Sequence, residues 1–265
     1  MRREAVVKEY FYPSDKGTLK KLFQSWGQVG TVKNDALVSI VPHAGYIYSG
    51  EVAFRVLSSI NIKKRVILMG PNHTGFGQRV SIYPGSSWET PFGDIDVDEE
   101  LVERFVNIGL KTDTLAHLKE HSLEVILPML KYLNENCKIV PITISYLRYD
   151  ECKLVAEKIL DVLKYFKDEV IFVISSDFNH FEDEKTTLVK DKYAIDAILR
   201  LDPEGLYDVV RDKNISMCGV IPSTIGLIVA KNLGAQKADL IMHTTSGRVS
   251  GNYDRVVGYA GIVIS

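Results

Sequence analysis

Histidines follow apolar runs at several separated points of this chain. His43 follows the run ALVSIV after a single proline, and His73 follows RVILM within the block GPNHTG. His180 follows VIFVI within SSDFNHF, and His243 lies near the end of ADLIMH. Imidazole is the commonest protein ligand for first-row transition metals, and its neutral form binds them near pH 7. The pattern therefore indicates a metal centre, an acid–base site or both.

Two segments carry candidate catalytic residues, namely Asp177, His180 and His121. In SSDFNHF, Asp177 can orient His180 or bind a metal, and His180 can act as a general base because an imidazole pKa of ~6.5 lies near neutrality. A simpler role for Asp177 is to cap the turn after its strand. In KEHSLEVILPML, His121 is either delivered to the site from a loop or remains solvated before a helix that Ser122 caps.

Cysteine offers a softer ligand at one position. Cys218 stands in ISMCGVIPSTIG, just before an apolar helical run. A thiol near a helix N-terminus or beside a metal shifts toward thiolate, which binds iron, zinc or copper strongly. The alternative is a small buried apolar residue in a turn, and the local sequence does not separate the two. Cys137 and Cys152 have no histidine nearby, so we predict that they are structural.

The elements that would position these residues alternate between strands and helices. Apolar runs predict strands over residues 36–41, 65–69, 138–144, 169–175, 238–244 and 256–265. Helical periodicity predicts helices over residues 19–26, 51–59, 99–108, 122–133, 151–166, 185–201, 203–210 and 223–233, with Pro128 kinking or shortening the fourth. This alternation indicates an α/β fold with a mostly parallel, doubly wound sheet flanked by helices. We predict one domain over residues 1–265, with its ligands at the C-terminal ends of the strands.

Composition narrows the possible partners and the compartment. The formal net charge of −2 argues against nucleic acid as a partner, and no run is long enough for a membrane span, so we expect no membrane partner. The charged N-terminus lacks an apolar signal core, and the three cysteines are expected to be free thiols in the cytoplasm. The absence of GxGxxG, GxxxxGK[ST] and GxSxG disfavours nucleotide binding and serine hydrolysis.

Seven separated blocks together resemble one known family, the Memo-like proteins. In chain order they are FYPSD, PHAGYIYSG, GPNHTG, SSWETPFG, EHSLEVILPML, SSDFNH and MCG. They run from residue 11 to residue 219, so the resemblance covers most of the chain. It implies a fold shared with class III extradiol dioxygenases, which open catechol rings with non-haem Fe(II) and O2.

The resemblance also implies roles for individual residues. His43 and His73 match the two metal histidines, His180 matches the acid–base residue, and Cys218 falls at the third ligand position. A cysteine there departs from the two-histidine, one-carboxylate pattern of the dioxygenases, and it softens the site toward Cu(I) or Zn. The implied cofactor is one ion of iron or copper, with zinc possible. The expected pocket residues are Tyr46, Trp88 and Asn72.

Three functions remain open on this basis. The leading hypothesis is a cytoplasmic metalloprotein that performs redox chemistry with O2 on an unknown small substrate. The second is a non-catalytic binding or signalling protein that keeps a vestigial dioxygenase pocket for a peptide or small acid. A metal-dependent hydrolase is the weakest of the three.

Overall fold

Strands and helices alternate along the folded chain in the order that the sequence pattern predicts. A computed structural model describes residues 1–27, 34–166 and 169–265. Within these residues the strands are β1 (Arg2–Arg3), β2 (Val38–Val41), β3 (Arg65–Pro71), β4 (Val80–Ile82), β5 (Ser87–Trp88), β6 (Ile95–Asp96), β7 (Lys138–Ile144), β8 (Val170–Ser175), β9 (His180–Glu182), β10 (Ala238–Thr245) and β11 (Val256–Ile264). All six predicted strands are present.

The predicted helices are also present, most of them with ends shifted by a few residues. The helices are α1 (Lys16–Trp26), α2 (Glu51–Ser59), α3 (Glu99–Asn107), α4 (Leu115–Leu118), α5 (Leu127–Leu133), α6 (Tyr149–Leu163), α7 (Glu184–Leu199), α8 (Pro203–Asp212), α9 (Val220–Asn232) and α10 (Gly247–Ser250). None of them, within the part of the chain that the structure describes, is long and apolar enough to cross a membrane.

The main sheet is mixed, with a parallel centre. Its strand order is β10-β11-β2-β8-β3-β7-β4, and β9 pairs with β11. The four central strands β2, β8, β3 and β7 are parallel, as the sequence indicates, whereas β10, β11, β4 and β9 pair antiparallel with their neighbours. Strands β1, β5 and β6 form a separate small sheet.

Both faces of the main sheet are covered, which confirms the doubly wound arrangement. Along β3, Ile67 and Met69 pack into one apolar cluster with residues of α3, α6, α7, α8 and α9. The alternating residues Val66 and Leu68 pack into a second cluster with α1, α2 and α5. Side chains of a strand alternate between the faces of its sheet, so a continuously apolar run is what a doubly covered strand requires.

Pro128 shortens the predicted helix over residues 122–133 at its N-terminal side. The α-helical part is α5, with Pro128 in its first turn, and the preceding turn Glu124–Ile126 is a 3₁₀ helix. Proline, which has no backbone N–H, fits the first turn of a helix because the N–H groups of that turn make no intrahelical hydrogen bonds. The segment before Glu124 is therefore free to follow a non-helical path, which positions Glu120 and His121.

Candidate metal centre

Three histidines converge at the C-terminal edge of the parallel strands. His43 follows β2, His73 follows β3, and His121 comes from the loop between α4 and the 3₁₀ turn. One ligand atom from each ring lies within 4.8 Å of the corresponding atoms of the other two. The rings of His73 and His121 are stacked with centroids 4.8 Å apart, and the centroid of His43 lies 5.2 Å from that of His73. This geometry could hold one metal ion.

Burial keeps two of these imidazoles in the form that binds metals. Burial lowers the pKa of His43 well below 6.5, and the charges of His73 and His121 lower it further. Burial also lowers the pKa of His121. Both rings are therefore neutral near pH 7, with a nitrogen lone pair available to a cation.

The tautomer of His43 is set by a chain of hydrogen bonds. The hydroxyl of Ser175 donates to the carbonyl oxygen of Ser122 over 2.6 Å. Because that hydroxyl has a single proton, it can only accept from Nδ1 of His43, which lies 2.7 Å away. The proton of His43 is thus on Nδ1, and the lone pair of Nε2 faces the sulfur of Cys218, 3.4 Å away, where it can accept from the thiol or bind a cation.

A buried carboxylate does the same for His73. Nδ1 of His73 lies 2.9 Å from Oε1 of Glu120, whose side chain is fully buried. Burial alone would raise the pKa of Glu120, but the hydrogen bond and charge of His73 lower it to about 2. The same pair raises the pKa of His73, although burial acts in the opposite direction. An ionised carboxylate only accepts, so Nδ1 carries a proton. Nε2 is the nitrogen that can bind a cation, once it has lost the proton that the raised pKa favours.

Cys218 lies beside this group without being one of the three mutually close residues. Its Sγ is 3.4 Å from Nε2 of His43, and it accepts a hydrogen bond of 3.2 Å from the backbone N–H of Asp177. Burial raises the pKa of the thiol well above 9, and the nearby carboxylate of Asp177 raises it further. The sulfur is consequently protonated near pH 7.

His180 is held by a different residue from the one that the sequence suggested. Its Nδ1 lies 2.8 Å from the carbonyl oxygen of Ser216, and its backbone N–H donates to the Ser216 hydroxyl over 2.7 Å. A carbonyl oxygen can only accept, so the ring proton is on Nδ1 and the lone pair of Nε2 is free. Asp177 instead accepts from the backbone N–H of His43 over 2.8 Å.

Comparison with known sequences identifies the family of this chain. A family model described as "Memo-like protein" matches residues 3–263. A MEMO1 family protein of Aquifex aeolicus is 41% identical over 266 residues, covering 98% of each chain. Another, from Saccharolobus solfataricus, is 42% identical over 279 residues and likewise covers 98% of each chain. The chain belongs to the Memo-like family.

Two of the pocket residues expected in this Memo-like chain are buried in its interior. Tyr46 is 3% exposed, its hydroxyl donates to the carbonyl oxygen of Val125 over 2.8 Å, and its ring packs among other aromatic rings. Trp88 is fully buried, with the guanidinium of Arg3 lying 4.0 Å above its ring. Tyr46 also lines a cavity together with Trp26 and Tyr48, and a contact of Tyr46 or Trp88 with a ligand stays a prediction.

Asn72 shapes a loop of the Memo-like chain. Its Oδ1 accepts from the backbone N–H groups of Thr74 and Gly75 over 3.1 Å, and its Nδ2 donates to the carbonyl oxygen of Phe76 over 2.7 Å. With both ends of the amide used, Asn72 fixes the turn that follows His73. A contact between Asn72 and a substrate stays a prediction.

The group of mutually close ligand residues in the Memo-like chain differs from the predicted set of His43, His73 and Cys218 in its third member. His43 and His73 meet as expected, but the third imidazole is His121, for which a catalytic role was predicted. Cys218, predicted as the third ligand, contacts His43. Asp177 does not orient His180, because its carboxylate is turned toward the backbone of His43. His243 lies elsewhere, with Nε2 2.8 Å from the buried carboxylate of Asp191.

The residues that orient the histidines had weak signals in the sequence. Glu120 directly precedes His121, and Ser175 ends the strand that leads to Asp177, but a serine or glutamate in a loop has many simpler roles. Ser216 is 36 positions from His180, so only the folded chain shows that they meet. Orienting residues of this kind are found by asking which group takes the second nitrogen of each histidine.

Proposed function

We propose that this protein is a cytoplasmic metalloprotein that binds one ion of iron or copper and oxidises a small molecule with O2. The observation that carries the proposal is that Nδ1 of His43 and Nδ1 of His73 are hydrogen-bonded to Ser175 and Glu120, which leaves Nε2 as the nitrogen of each ring that can bind an ion. Imidazoles whose other ring nitrogen is held by such a partner are characteristic of metal ligands. Zinc would be held by the same donors, but it would support no redox chemistry.

His43, His73 and His121 would hold the ion, with the sulfur of Cys218 as a further donor next to His43. The donor set fits because imidazole suits iron, copper and zinc, and because thiolate favours Cu(I) and zinc. A bound iron or copper ion supplies electron transfer, which these side chains cannot perform themselves.

His180 is the residue that we assign to proton transfer. Its Nδ1 proton is committed to the carbonyl oxygen of Ser216, so Nε2 can accept a proton from a hydroxyl or acid group of the ligand. Asp177 keeps the backbone of His43 in place and contacts Cys218 through its N–H group. The chain therefore separates the residues that bind the ion from the residue that moves the proton.

A second candidate function is a non-catalytic protein that uses the same pocket to bind a peptide or small acid. The observation in its favour is the position of the Cys218 sulfur, 3.4 Å from Nε2 of His43. Activation of O2 beside a thiolate would expose that sulfur to oxidation. A cysteine here is therefore more compatible with binding than with repeated turnover in air.

Metal analysis of protein purified without oxygen tests the proposal. We expect one equivalent of iron or copper in the unaltered protein and in His243→Ala, a histidine outside the centre. His43→Ala and Cys218→Ser should both lose the ion. Failure of the unaltered protein to retain any metal after anaerobic reconstitution would contradict the proposal.

Oxygen uptake by the metal-loaded protein separates the two candidate functions. Consumption of O2 with members of a catechol panel, abolished by His180→Ala, would support the oxidase. Stable metal binding with no oxygen consumption on any panel member would favour the non-catalytic protein. His180→Ala should keep the metal, because its ring is assigned to the proton and not to the ion.

A further inference from the structure

The first twelve residues, which we call the N-terminal segment, contact two of the loops that build the metal centre. The backbone N–H of Tyr46, three residues after His43, donates to the carbonyl oxygen of Phe11 over 2.7 Å. The ring centroid of Phe11 lies 4.9 Å from that of His121. The segment is thus packed against the histidine loops.

The strongest link between this segment and the centre is the buried side chain of Arg3. Its Nε donates to the carbonyl oxygen of His117 over 2.7 Å, and its Nη2 donates to the carbonyl oxygen of Glu120 over 2.6 Å. Its Nη1 donates to Oε2 of Glu124 over 2.7 Å. Arg3 is 3% exposed, and its Nη1 also donates to the carbonyl oxygen of Glu4 over 3.3 Å, so the guanidinium makes all these hydrogen bonds inside the protein.

The acceptors on His117, Glu120 and Glu124 belong to the same stretch of chain as His121. The carbonyl group of Glu120 joins it directly to His121, and the Glu120 carboxylate orients His73. The stretch from Lys119 to Leu123 lies between α4 and the 3₁₀ turn, outside both helices. The planar guanidinium presents its N–H groups in a fixed fork, so it specifies where the carbonyl groups must lie.

Glu124 anchors the other end of this arrangement. Its side chain is fully buried, and it accepts hydrogen bonds from the backbone N–H groups of Val6 and Val7 and from the hydroxyl of Tyr12. Glu124 therefore ties the N-terminal segment to the loop through several bonds, of which the one from Arg3 is a charged pair.

We propose that Arg3 is a positioning residue of the metal centre, which it completes by fixing the loop that carries Glu120 and His121. This inference rests on the proposed metal-binding function. Arg3 touches neither the ion nor a substrate, and it acts through two backbone carbonyl groups. Without the guanidinium of Arg3, the position of His121 should be less well fixed, and the affinity for the metal should be lower.

The competing explanation is that Arg3 only stabilises the fold, and a double variant separates the two. Arg3→Met leaves the carboxylate of Glu124 buried without its cation, so it should lower both stability and metal affinity. Adding Glu124→Gln removes that unpaired charge and should restore part of the stability. It does not restore the bonds to the carbonyl groups of His117 and Glu120, so metal affinity should remain low.

The experiment is a titration of the metal-free full chain with Co²⁺, followed by the visible absorption of the bound ion, alongside thermal unfolding. We expect the dissociation constant to rise at least tenfold in Arg3→Met and to stay raised in the double variant, with weaker absorption bands as the imidazole donation of His121 is lost. Arg2→Met, an exposed neighbour on β1, and Tyr12→Phe, which removes a different bond to Glu124, should keep the affinity of the unaltered protein.

Two results would overturn the inference. An unchanged affinity in Arg3→Met would show that the fork does not position the loop. Recovery of affinity together with stability in the double variant would show that Arg3 acts only on the fold. If the unaltered protein binds no Co²⁺, the proposed function fails as well, whereas normal binding by the unaltered protein and by Arg3→Met contradicts only the role of Arg3.

Discussion

Nδ1 of His43 lies 2.7 Å from the hydroxyl oxygen of Ser175, which itself donates to the carbonyl oxygen of Ser122 over 2.6 Å. These two bonds decide which nitrogen of a fully buried imidazole carries its proton. They also join the ends of β2 and β8, since His43 follows one strand and Ser175 ends the other. The orientation of the first histidine ligand is consequently a property of the sheet and not of its own loop.

Removal of the Ser175 hydroxyl should weaken metal binding. Ser175→Ala leaves the Nδ1 proton of His43 buried without an acceptor, so the ring loses its preference for keeping Nε2 free. Loss of such an orienting partner typically costs 10- to 100-fold in metal affinity. Calorimetric titration with Zn²⁺ or Co²⁺ measures the effect. The matched control is Ser39→Ala, which alters a buried serine of β2. An equal loss of metal affinity in both variants would show that the Ser175 hydroxyl does not orient His43.

His117 should make the metal-free protein less stable as the pH falls. Its Nε2 lies 3.0 Å from the carbonyl oxygen of Ser81, and burial lowers its pKa to about 3, from 6.5 in the unfolded chain. Between these values the unfolded chain binds the proton and the folded chain does not, so the free energy of unfolding decreases as pH falls from about 6.5 to 3. We expect this residue to account for a loss of about 2 kcal/mol between pH 7 and pH 5.

Denaturant unfolding of the metal-free protein at several pH values measures this dependence. His117→Gln can keep a donor for the Ser81 carbonyl but cannot titrate, so its stability should change less between pH 7 and pH 5. The comparison of slopes is independent of any constant loss of stability in the variant. Parallel pH profiles for the two proteins would show that the imidazole does not remain neutral inside the fold.

Metal binding should protect Cys218 from alkylation. Burial raises the pKa values of all three thiols, those of Cys137 and Cys152 to about 11 and about 12, but only Cys218 is partly exposed to a reagent. At pH 8 we expect native metal-free protein to react slowly and only at Cys218, and metal-loaded protein to react at least tenfold more slowly. Mass spectrometry after iodoacetamide treatment locates the label. Equal labelling with and without metal would exclude the sulfur as a donor.

Phe181 should be replaceable with a gain in stability. It directly follows His180 and has a φ of 64°, a left-handed conformation that suits Asn far better than Phe. The residue is 61% exposed, and its ring contacts the guanidinium of Arg255, 4.9 Å away, and the ring of His180, with centroids 5.5 Å apart. Phe181→Asn should therefore raise the free energy of unfolding by about 0.5 kcal/mol, the relief of strain exceeding the lost cation–π contact.

Phe76→Asn provides the control for this change. Phe76 is exposed to a similar extent, 60%, but it is not among the residues with positive φ. It should gain nothing from the replacement, as measured by denaturant unfolding at pH 7. Equal changes in the two variants would show that the backbone of Phe181 stores no strain.

Long, strongly patterned elements were predictable from the sequence. The helix over residues 51–59 and the strand over residues 138–144 have the same bounds in the structure. The short strands β1, β4, β5, β6 and β9 were missed, because two or three residues are too few to show a period. His180 accordingly lies on a short strand, where the sequence suggested a loop.

The sequence by itself determined that histidines would gather at one edge of a parallel sheet. The apolar runs before His43 and His73 indicate central strands of one parallel sheet, and parallel strands end on the same side even with β8 between these two. Membership of the Memo-like family could likewise be recognised from blocks spread along the chain, and the match over residues 3–263 bears it out.

Only the tertiary structure decided which residues complete the centre and how each ring is oriented. Arg3 donates to the carbonyl oxygen of Glu120 and to the carboxylate of Glu124, which lie 117 and 121 residues away in the sequence. Local sequence patterns carry no information about such pairs. The same limit applies to Tyr46 and Trp88, since whether an aromatic ring lines a pocket or fills a core depends on what packs against it. Burial and hydrogen-bond partners are set by the whole fold, and they determine which nitrogen of a histidine can bind a metal.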